Sequence, residues 1–377
     1  MVPRRKKRVK FLWFICVSRA YPEERGFGKD NGKEKSIFMR ITILERILLL
    51  AGVIATQCLL SFFAERGFGA EMQTQMDKYT GWENFPCSFF VTGGYIKGDT
   101  TYHISYYEGA SGVESKLEFP LDNYLLKIEV SLRYKKSNNG QDKANLTIGW
   151  FTNIGSYAGK LKDSDWLSDD LDISLVGSAH PGKDIYSESD ASLKANIIDA
   201  NLLYNFYFTQ NITVGGIIGY RHQRFEYDVS NADQIGYGPY YPYFTVYVPG
   251  PVLDYEVEYD IPYLGLNTNL LCGQEFELNL RAAFSPWTYV HDRDDHILRY
   301  KLSKGSCRGS AFFISINADW RFSSGLLRIG GEYTNIDTQG TQYQEFYAGE
   351  WKGESFTVND EITSSFWVVF IGVGCNF

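Results

Sequence analysis

Strict alternation between apolar and polar side chains runs through the chain from residue 88 onward and limits what it can fold into. In the segment "LLKIEVSLRY", Leu126 and Ile128 share one face, and Lys127 and Glu129 share the other. The same period of two returns in "EFELNLRAAF", "FFISINADWRF" and "LLRIGGEY". Because successive side chains of a β-strand point to opposite faces, the pattern predicts an all-β protein.

The two faces of these strands favour a membrane barrel over a soluble β-sandwich, which also alternates. The apolar face is continuous and ends in Tyr, Trp or Phe, and the opposite face carries charges of both signs. Aromatic residues make up 16% of the chain, which suits the aromatic girdles of a membrane barrel. We therefore expect an apolar outer wall and a polar, ion-paired interior.

Ten segments of alternating sequence predict ten strands, an even number as in bacterial outer-membrane barrels. They are 88–108, 114–135, 144–158, 191–209, 212–228, 253–272, 275–290, 297–322, 326–337 and 356–377. Several exceed the roughly 9–11 residues that a tilted strand needs to cross a bilayer. We therefore expect a ten-stranded antiparallel transmembrane β-barrel that extends above the outer membrane. The connections expected to be outer loops lie at 159–190, 229–252, 291–296 and 338–355.

The N-terminal part of the chain has the composition of a targeting segment. Residues 39–70 combine a short charged start, an apolar run and small residues near the end, as a secretory signal peptide does. A transmembrane anchor is the alternative, since the apolar run is almost long enough to span a bilayer. With a signal peptide there, residues 1–38 are an upstream extension and residues 71–377 form the barrel domain.

The charge of the chain excludes one class of partner. The formal net charge is −8, although the first ten residues are strongly basic, so the barrel domain is more acidic than the whole chain. A protein that binds nucleic acid needs a basic face, and we therefore expect no nucleic-acid partner. An acidic exported barrel suits cationic partners instead.

The stretch "HDRDDH", residues 291–296, holds two of the five histidines of the chain and three aspartates. Residues i and i+2 of an extended segment point the same way, so Asp294 can hydrogen-bond to His296 and fix its tautomer. The other ring nitrogen is then available as a general base toward water. A solvated loop tip is the alternative. We expect no metal site, because the stretch lacks an EF-hand glycine and a zinc-binding spacing.

A second acidic segment, "KLKDSDWLSDDLDIS", lies in the predicted outer loop after the third strand. The order of short and long connections puts both acidic segments on the same rim. We expect them to meet across the mouth of a narrow barrel.

The motifs "DSDW", "SAHP", "GYRHQRF", "IPYLGL" and "DRDDH", in this order, resemble the omptin family of outer-membrane proteases. The resemblance covers most of residues 88–377 and includes strand number, loop order and a terminal Phe. It implies an endopeptidase of the Asp/His type that faces outward from the outer membrane of a Gram-negative bacterium. The implied catalytic residues are Asp163, Asp165, Asp294 and His296, which activate water without a covalent intermediate.

The resemblance also implies peptide or protein substrates with basic residues beside the cleaved bond. Asp292 matches an acid of the pocket for the first side chain, and Tyr102 stands where the family has a second acid. Val176 stands where the acid of the second pocket is usual. We expect cleavage after Arg, with an apolar or small residue following.

Omptins depend on lipopolysaccharide bound to the outer wall, and the resemblance implies no other cofactor. Tyr220 and Arg224 match the lipid-contact positions of the family. His222 and Glu258 depart from its pattern, since an acid and a basic residue are usual there. We expect lipopolysaccharide and outer-membrane lipid to be partners, with weaker activation than in the family.

Two other functions are compatible with the same pattern. The barrel could keep the outline of the site and act as an adhesin or invasion factor, or it could be a porin. Cleavage of a cationic peptide separates the first from a protease, and conductance across a bilayer tests the second.

Overall fold

The computed structural model describes residues 86–108, 111–135, 142–166, 183–237, 244–273, 275–322 and 325–376. Over these residues the chain forms twelve antiparallel strands. They are β1 (Cys87–Glu108), β2 (Ser111–Pro120), β3 (Asn123–Lys135), β4 (Asp142–Asn153), β5 (Tyr157–Trp166), β6 (Ile185–Phe208), β7 (Ile212–Gly236), β8 (Phe244–Cys272), β9 (Phe276–His296), β10 (Lys301–Phe322), β11 (Gly325–Phe346) and β12 (Ser355–Asn376).

The strands close into a ring, because β12 pairs with β1 as well as with β11. Residues 99–108 of β1 pair with β2, and residues 87–96 pair with β3. In the same way β4 and β5 both pair with β6, one above the other. The successive pairs β2–β3 and β4–β5 thus each fill one position, and the predicted ten-stranded antiparallel barrel is confirmed with two of its strands divided.

The two divisions face each other and are bridged by one buried side chain. Pro120, which has no N–H to donate, ends β2, and the other break contains Gly155. Asn123 Nδ2 donates to the carbonyl oxygens of Gly155 (3.0 Å) and Tyr157 (3.3 Å). The backbone N–H of Gly155 in turn donates to Asn123 Oδ1. These bonds replace the ladder bonds lost at both breaks.

An apolar band surrounds the lower part of the barrel. The lower end is the one at which short connections follow β6 and β8. Its exposed side chains include Tyr124, Ile148, Leu202, Ile218, Leu266, Phe284, Ile314, Ile329, Tyr333, Trp367 and Val369. Toward the other end the outward rows become polar and include Lys194, Glu258, Arg308, Asp337 and Glu361. So wide an exposed apolar surface fits contact with lipid, and the barrel continues well beyond it.

The predicted outer loops are largely wrong. All of "HDRDDH" belongs to β9, "KDSDW" belongs to β5, β7 continues to residue 236, and β11 continues to residue 346. Polar sequence does not indicate loops here, because one face of each of these strands is buried inside the barrel and the other is polar. Their backbone pairing with both neighbours therefore continues above the apolar band.

Ion pairs fill the interior at the level of the apolar band. The Arg221 guanidinium lies 2.8 Å from Asp199 Oδ2 and 2.7 Å from Glu332 Oε1, with little exposure of the arginine. Arg328 makes a similar contact with Glu129 at 2.7 Å. Charges of both signs on the inner face are thus paired across the lumen, as the sequence pattern predicts.

A layer of aromatic side chains lies above the ion pairs. Tyr102, Phe119, Tyr227, Tyr255 and Tyr259 are all fully buried, and the rings of Phe119 and Tyr255 stack with centroids 4.3 Å apart. An open channel needs a water-filled lumen, so this filled interior disfavours the porin alternative.

Several sequence predictions fall outside the described residues. These are the signal peptide at 39–70, the upstream extension, the second-pocket position Val176 and the terminal Phe377. Among the described residues, no helix is long and apolar enough to cross a membrane.

Replacing the buried cation of the lumen should destabilise the barrel. Arg221→Ala leaves Asp199 and Glu332 without their shared partner, and breaking such a buried pair costs about 3–5 kcal/mol. The control is Arg321→Ala, which removes a more exposed pair with Glu277 and should cost less than about 1 kcal/mol. Guanidinium unfolding in lipid vesicles measures both variants, and equal losses would contradict this account of the interior.

Candidate active site

The aspartate–histidine pair predicted from the sequence is formed at the outer end of β9. His296 Nδ1 lies 2.8 Å from Asp294 Oδ1, with Asp294 fully buried and His296 9% exposed. Alternation puts Asp292, Asp294 and His296 on one inward row. Because β9 pairs with β8 and β10 along this row, the backbone fixes the height at which each side chain enters the lumen.

Asp163 and Asp165 enter the same mouth from β5, on the other side of the barrel. β5 pairs with β2 on one side and with β6 on the other, so both aspartates stand on a paired strand. Asp165 is buried and Asp163 is partly buried. Removal from water, followed by the negative charge of Asp165, raises the pKa of Asp163 to about 8.

One arginine joins the two sides of the mouth. A short 3₁₀ turn, Ile297–Arg299, follows β9 and ends at Tyr300, whose φ of 51° is left-handed. The turn carries Arg299 toward β5, where its Nη2 atom lies 3.6 Å from Asp165 Oδ2. Arg299 opposes the rise in the pKa of Asp163, and the charge of Asp294 adds to that rise. The described part of the second acidic segment, with Asp163 and Asp165, therefore lies across the mouth from the end of the first, as predicted.

Lys301 is a neighbour that the sequence analysis missed. It stands directly opposite His296 on β10, is buried, and donates from Nζ to Gln344 Oε1 at 3.2 Å. Burial lowers the pKa of Lys301 to about 8, although the nearby Asp294 opposes this. Burial also lowers the pKa of His296, so its ring is neutral at pH 7. Gln344 was missed because 338–355 was predicted to be a loop.

Asp292 and Tyr102, the two predicted pocket residues, are connected through Gln342. Gln342 Nε2 donates to Asp292 Oδ2 at 3.0 Å, and the Tyr102 hydroxyl donates to Gln342 Oε1 at 2.6 Å. Gln344 Nε2 donates to the same Gln342 oxygen at 2.6 Å. Tyr102 is fully buried and its ring packs against Tyr255, with centroids 5.6 Å apart. Its hydroxyl thus orients the amide that holds Asp292.

The predicted lipid-contact residues point outward from β7, at the upper edge of the apolar band. Tyr220 is 46% exposed and its hydroxyl donates to Asp260 Oδ1. His222 Nδ1 lies 2.9 Å from the same oxygen. Tyr220 and His222 therefore both contact the carboxyl group of Asp260 on the neighbouring strand β8.

Arg224 is surrounded by three glutamates. Its guanidinium lies 2.9 Å from Glu226, 2.9 Å from Glu256 and 3.6 Å from Glu258. The positive charge that a lipid phosphate would meet is thus largely balanced by the protein itself.

The structure shows no arrangement suited to a metal ion in the part of the chain that it describes. No group of three or more His, Cys, Asp or Glu side chains there could hold one.

The protein is a closed antiparallel barrel with an apolar outer band and a polar mouth. These features define an outer-membrane barrel, and the acid–histidine cluster at its mouth is a candidate active site. The sequence model of the omptin family matches residues 88–346. The chain belongs to the omptin family of outer-membrane proteases, and it is an outer-membrane protein of a Gram-negative bacterium.

Two relatives are consistent with this membership. The plasminogen activator of Yersinia pestis is 27% identical over 187 residues, which cover 49% of this chain and 56% of the relative. The match thus spans little more than half the length of that relative. The outer membrane protease OmpT from Escherichia coli superposes with a TM-score of 0.62 at 16% identity, covering 78% of this chain and 97% of that one. At this identity the superposition supports the fold alone.

Asp163→Asn should remove one source of pH-dependent instability. The folded barrel keeps the proton of Asp163 up to about pH 8, whereas an unfolded chain releases it near pH 4. The folded state therefore binds more protons in this window, and the free energy of unfolding falls as pH rises, by at most about 1.4 kcal/mol per pH unit. Asparagine has no such proton to lose.

The measurement is guanidinium unfolding in detergent between about pH 6 and pH 9, where Asp163→Asn should lose less stability than wild type. Asp337→Asn, on the outer wall, is the control and should follow the wild-type curve. Identical curves for wild type and Asp163→Asn would contradict the raised pKa.

Proposed function

We propose that the protein is an endopeptidase that attacks the peptide bond with water activated between the two sides of the barrel mouth. The observation that carries the proposal is the convergence of the Asp294–His296 pair with Asp163 and Asp165, which Arg299 joins. General acid–base catalysis requires a base that can accept a proton and an acid with a pKa near the working pH. Neutral His296 and protonated Asp163 meet these two requirements.

His296 is the proposed general base. With its Nδ1–H donating to Asp294, the lone pair remains on Nε2 and can accept a proton from water. Burial lowers the pKa of His296 and thereby keeps the ring neutral before the reaction. The Asp294 carboxylate stabilises the imidazolium that forms once the proton is taken up.

Asp163 is the proposed partner on the opposite side. It holds the attacking water and, being protonated at neutral pH, can supply a proton to the leaving amine. Asp165 raises the pKa of Asp163 and is itself held by Arg299. Water attacks the carbonyl carbon directly, and no covalent intermediate forms.

The proposed substrates are peptides or proteins with a basic residue before the cleaved bond. Asp292 is buried in the mouth beside the acid–histidine pair, where a cationic side chain would find a negative partner. We expect an apolar or small residue after the bond, since Val176 stands at the position of the second-pocket acid.

Removing the base or the water-holding acid should abolish cleavage while the barrel still folds. His296→Ala and Asp163→Ala should each lower kcat/KM by at least the roughly 10²–10⁴-fold typical of general-base catalysis. The control is His291→Ala, which removes an exposed histidine from the outer face of the same strand. Serine-directed inhibitors should have no effect.

The assay is hydrolysis of a quenched arginine-containing peptide by the refolded barrel with lipopolysaccharide, with heat-modifiable gel mobility as the test of folding. Turnover near the wild-type rate in His296→Ala or Asp163→Ala would contradict the assignment. A folded wild-type barrel that cleaves no cationic peptide would favour the adhesin or invasion-factor alternative.

We propose that lipopolysaccharide activates the enzyme weakly through Tyr220 and Arg224. Because three glutamates balance Arg224, Glu258→Gln should strengthen the activation by leaving more of its charge for lipid phosphate. The measurement is the lipopolysaccharide concentration needed for half-maximal activity, which should fall in this variant. Full wild-type activity in detergent free of lipopolysaccharide would contradict the proposal.

A further inference from the structure

Two buried carboxyl groups from different strands meet over a glycine inside the barrel mouth. Asp292 comes from β9 and Asp360 from β12, and Gly305 of β10 lies between them. A Cβ atom added at Gly305 would collide with both Asp292 Oδ1 and Asp360 Oδ2. The missing side chain at this position is therefore what lets the two carboxyl groups approach each other.

Each carboxyl group has one satisfied oxygen and one unsatisfied oxygen. Asp292 Oδ2 accepts from Gln342 at 3.0 Å, and Asp360 Oδ2 accepts from the Cys307 thiol at 3.3 Å. The Oδ1 atoms of both are buried and meet no N–H or O–H donor among the residues that the structure describes. Among the residues that the structure describes, no Lys, Arg or His forms an ion pair with either carboxyl group, and Asp292 and Asp360 are only 5% and 2% exposed.

Buried carboxylates without a cation are costly, so the empty pair must hold a proton instead. Burial, followed by the charge of Asp360, raises the pKa of Asp292 well above its usual range. Burial raises the pKa of Asp360 to about 7; the hydrogen bond from the Cys307 thiol opposes this rise, and the charge of Asp294 adds to it. A cation that enters the pair would displace this proton.

We propose that Asp360 joins Asp292 in binding one basic side chain of the peptide substrate, the side chain before the cleaved bond. This inference rests on the proposed endopeptidase function. The two unsatisfied oxygens suit a guanidinium group, whose N–H donors lie in a planar fork that can reach both carboxylates.

Asp360 also accounts for the departure at Tyr102. Tyr102 occupies the position where the omptin resemblance implies a second acid, and its hydroxyl is committed to Gln342. It is a positioning residue for Asp292, and the second negative charge comes from β12 instead. Asp360 is not predictable from the sequence, because the residues that it meets in the mouth, Asp292 and Gly305, are distant in the chain.

The experiment compares two quenched peptides that differ only in arginine or its neutral analogue citrulline before the cleaved bond. Asp360→Asn should lower kcat/KM for the arginine peptide by about 30-fold or more, since removing one partner of a buried charge contact costs about 2–5 kcal/mol. Hydrolysis of the citrulline peptide should change by less than about threefold. An equal fall for both peptides, or no fall, would overturn the proposal.

The matched control is Glu361→Gln, which removes the same charge one residue away. Its side chain is 42% exposed and lies on the outer face near His103. It should leave the preference for arginine over citrulline unchanged. If Asp360→Asn does not fold by the gel-mobility test, Gly305→Ala replaces it, because the added methyl group occupies the space of both carboxyl groups. Undiminished preference for arginine in Gly305→Ala would count against the proposal.

A binding measurement separates this inference from the endopeptidase proposal. Calorimetric titration with acetyl-argininamide and acetyl-citrullinamide needs no turnover, so it applies even to a barrel that cleaves nothing. Wild type should prefer the arginine compound, and Asp360→Asn should lose most of that preference while Glu361→Gln keeps it. Equal binding of the two compounds by wild type would overturn the role of the acid pair, whatever the activity of the enzyme.

Discussion

Backbone pairing of β9 with both neighbours, up to His296, is the constraint on which the rest of the site depends. A strand paired on both sides cannot shift by one residue without turning its whole inward row outward. Asp292, Asp294 and His296 are thereby held one above another in the lumen. Closure of the ring by β12 and β1 then sets the opposite wall, and with it the distance that Arg299 must cover to reach β5.

The mouth concentrates acidic side chains, and two cations lie close to them. Arg299 is near Asp165, and Lys301 is buried beside the Asp294–His296 pair. Such crowding lowers stability, because burial and like charge both disfavour ionised carboxylates. The raised pKa of Asp163 is the consequence, and in the proposed mechanism the same effect supplies the proton donor. Lower in the lumen, by contrast, the buried charges are paired, as Arg221 is with Asp199 and Glu332.

The sequence predicts the barrel and the Asp294–His296 contact because both depend on local alternation. It does not predict the ends of the strands, because their sequence is as polar as that of loops although one face of each strand is buried. It also fails for Lys301 and Asp360, whose positions follow from the register of β9 to β12. That register is set by pairing between distant segments, which no local pattern reveals. The Tyr102–Gln342 contact is hidden for the same reason.

In the proposed mechanism, the two sides of the mouth act on one water molecule. A double-mutant cycle tests it most directly, with kcat/KM measured for wild type, His296→Ala, Asp163→Asn and the double variant. Groups that serve one reacting molecule show strongly non-additive losses. The double variant should therefore be no slower, within about threefold, than the slower single variant. Losses that multiply to their full product would mean that His296 and Asp163 act independently, and would contradict the proposed mechanism.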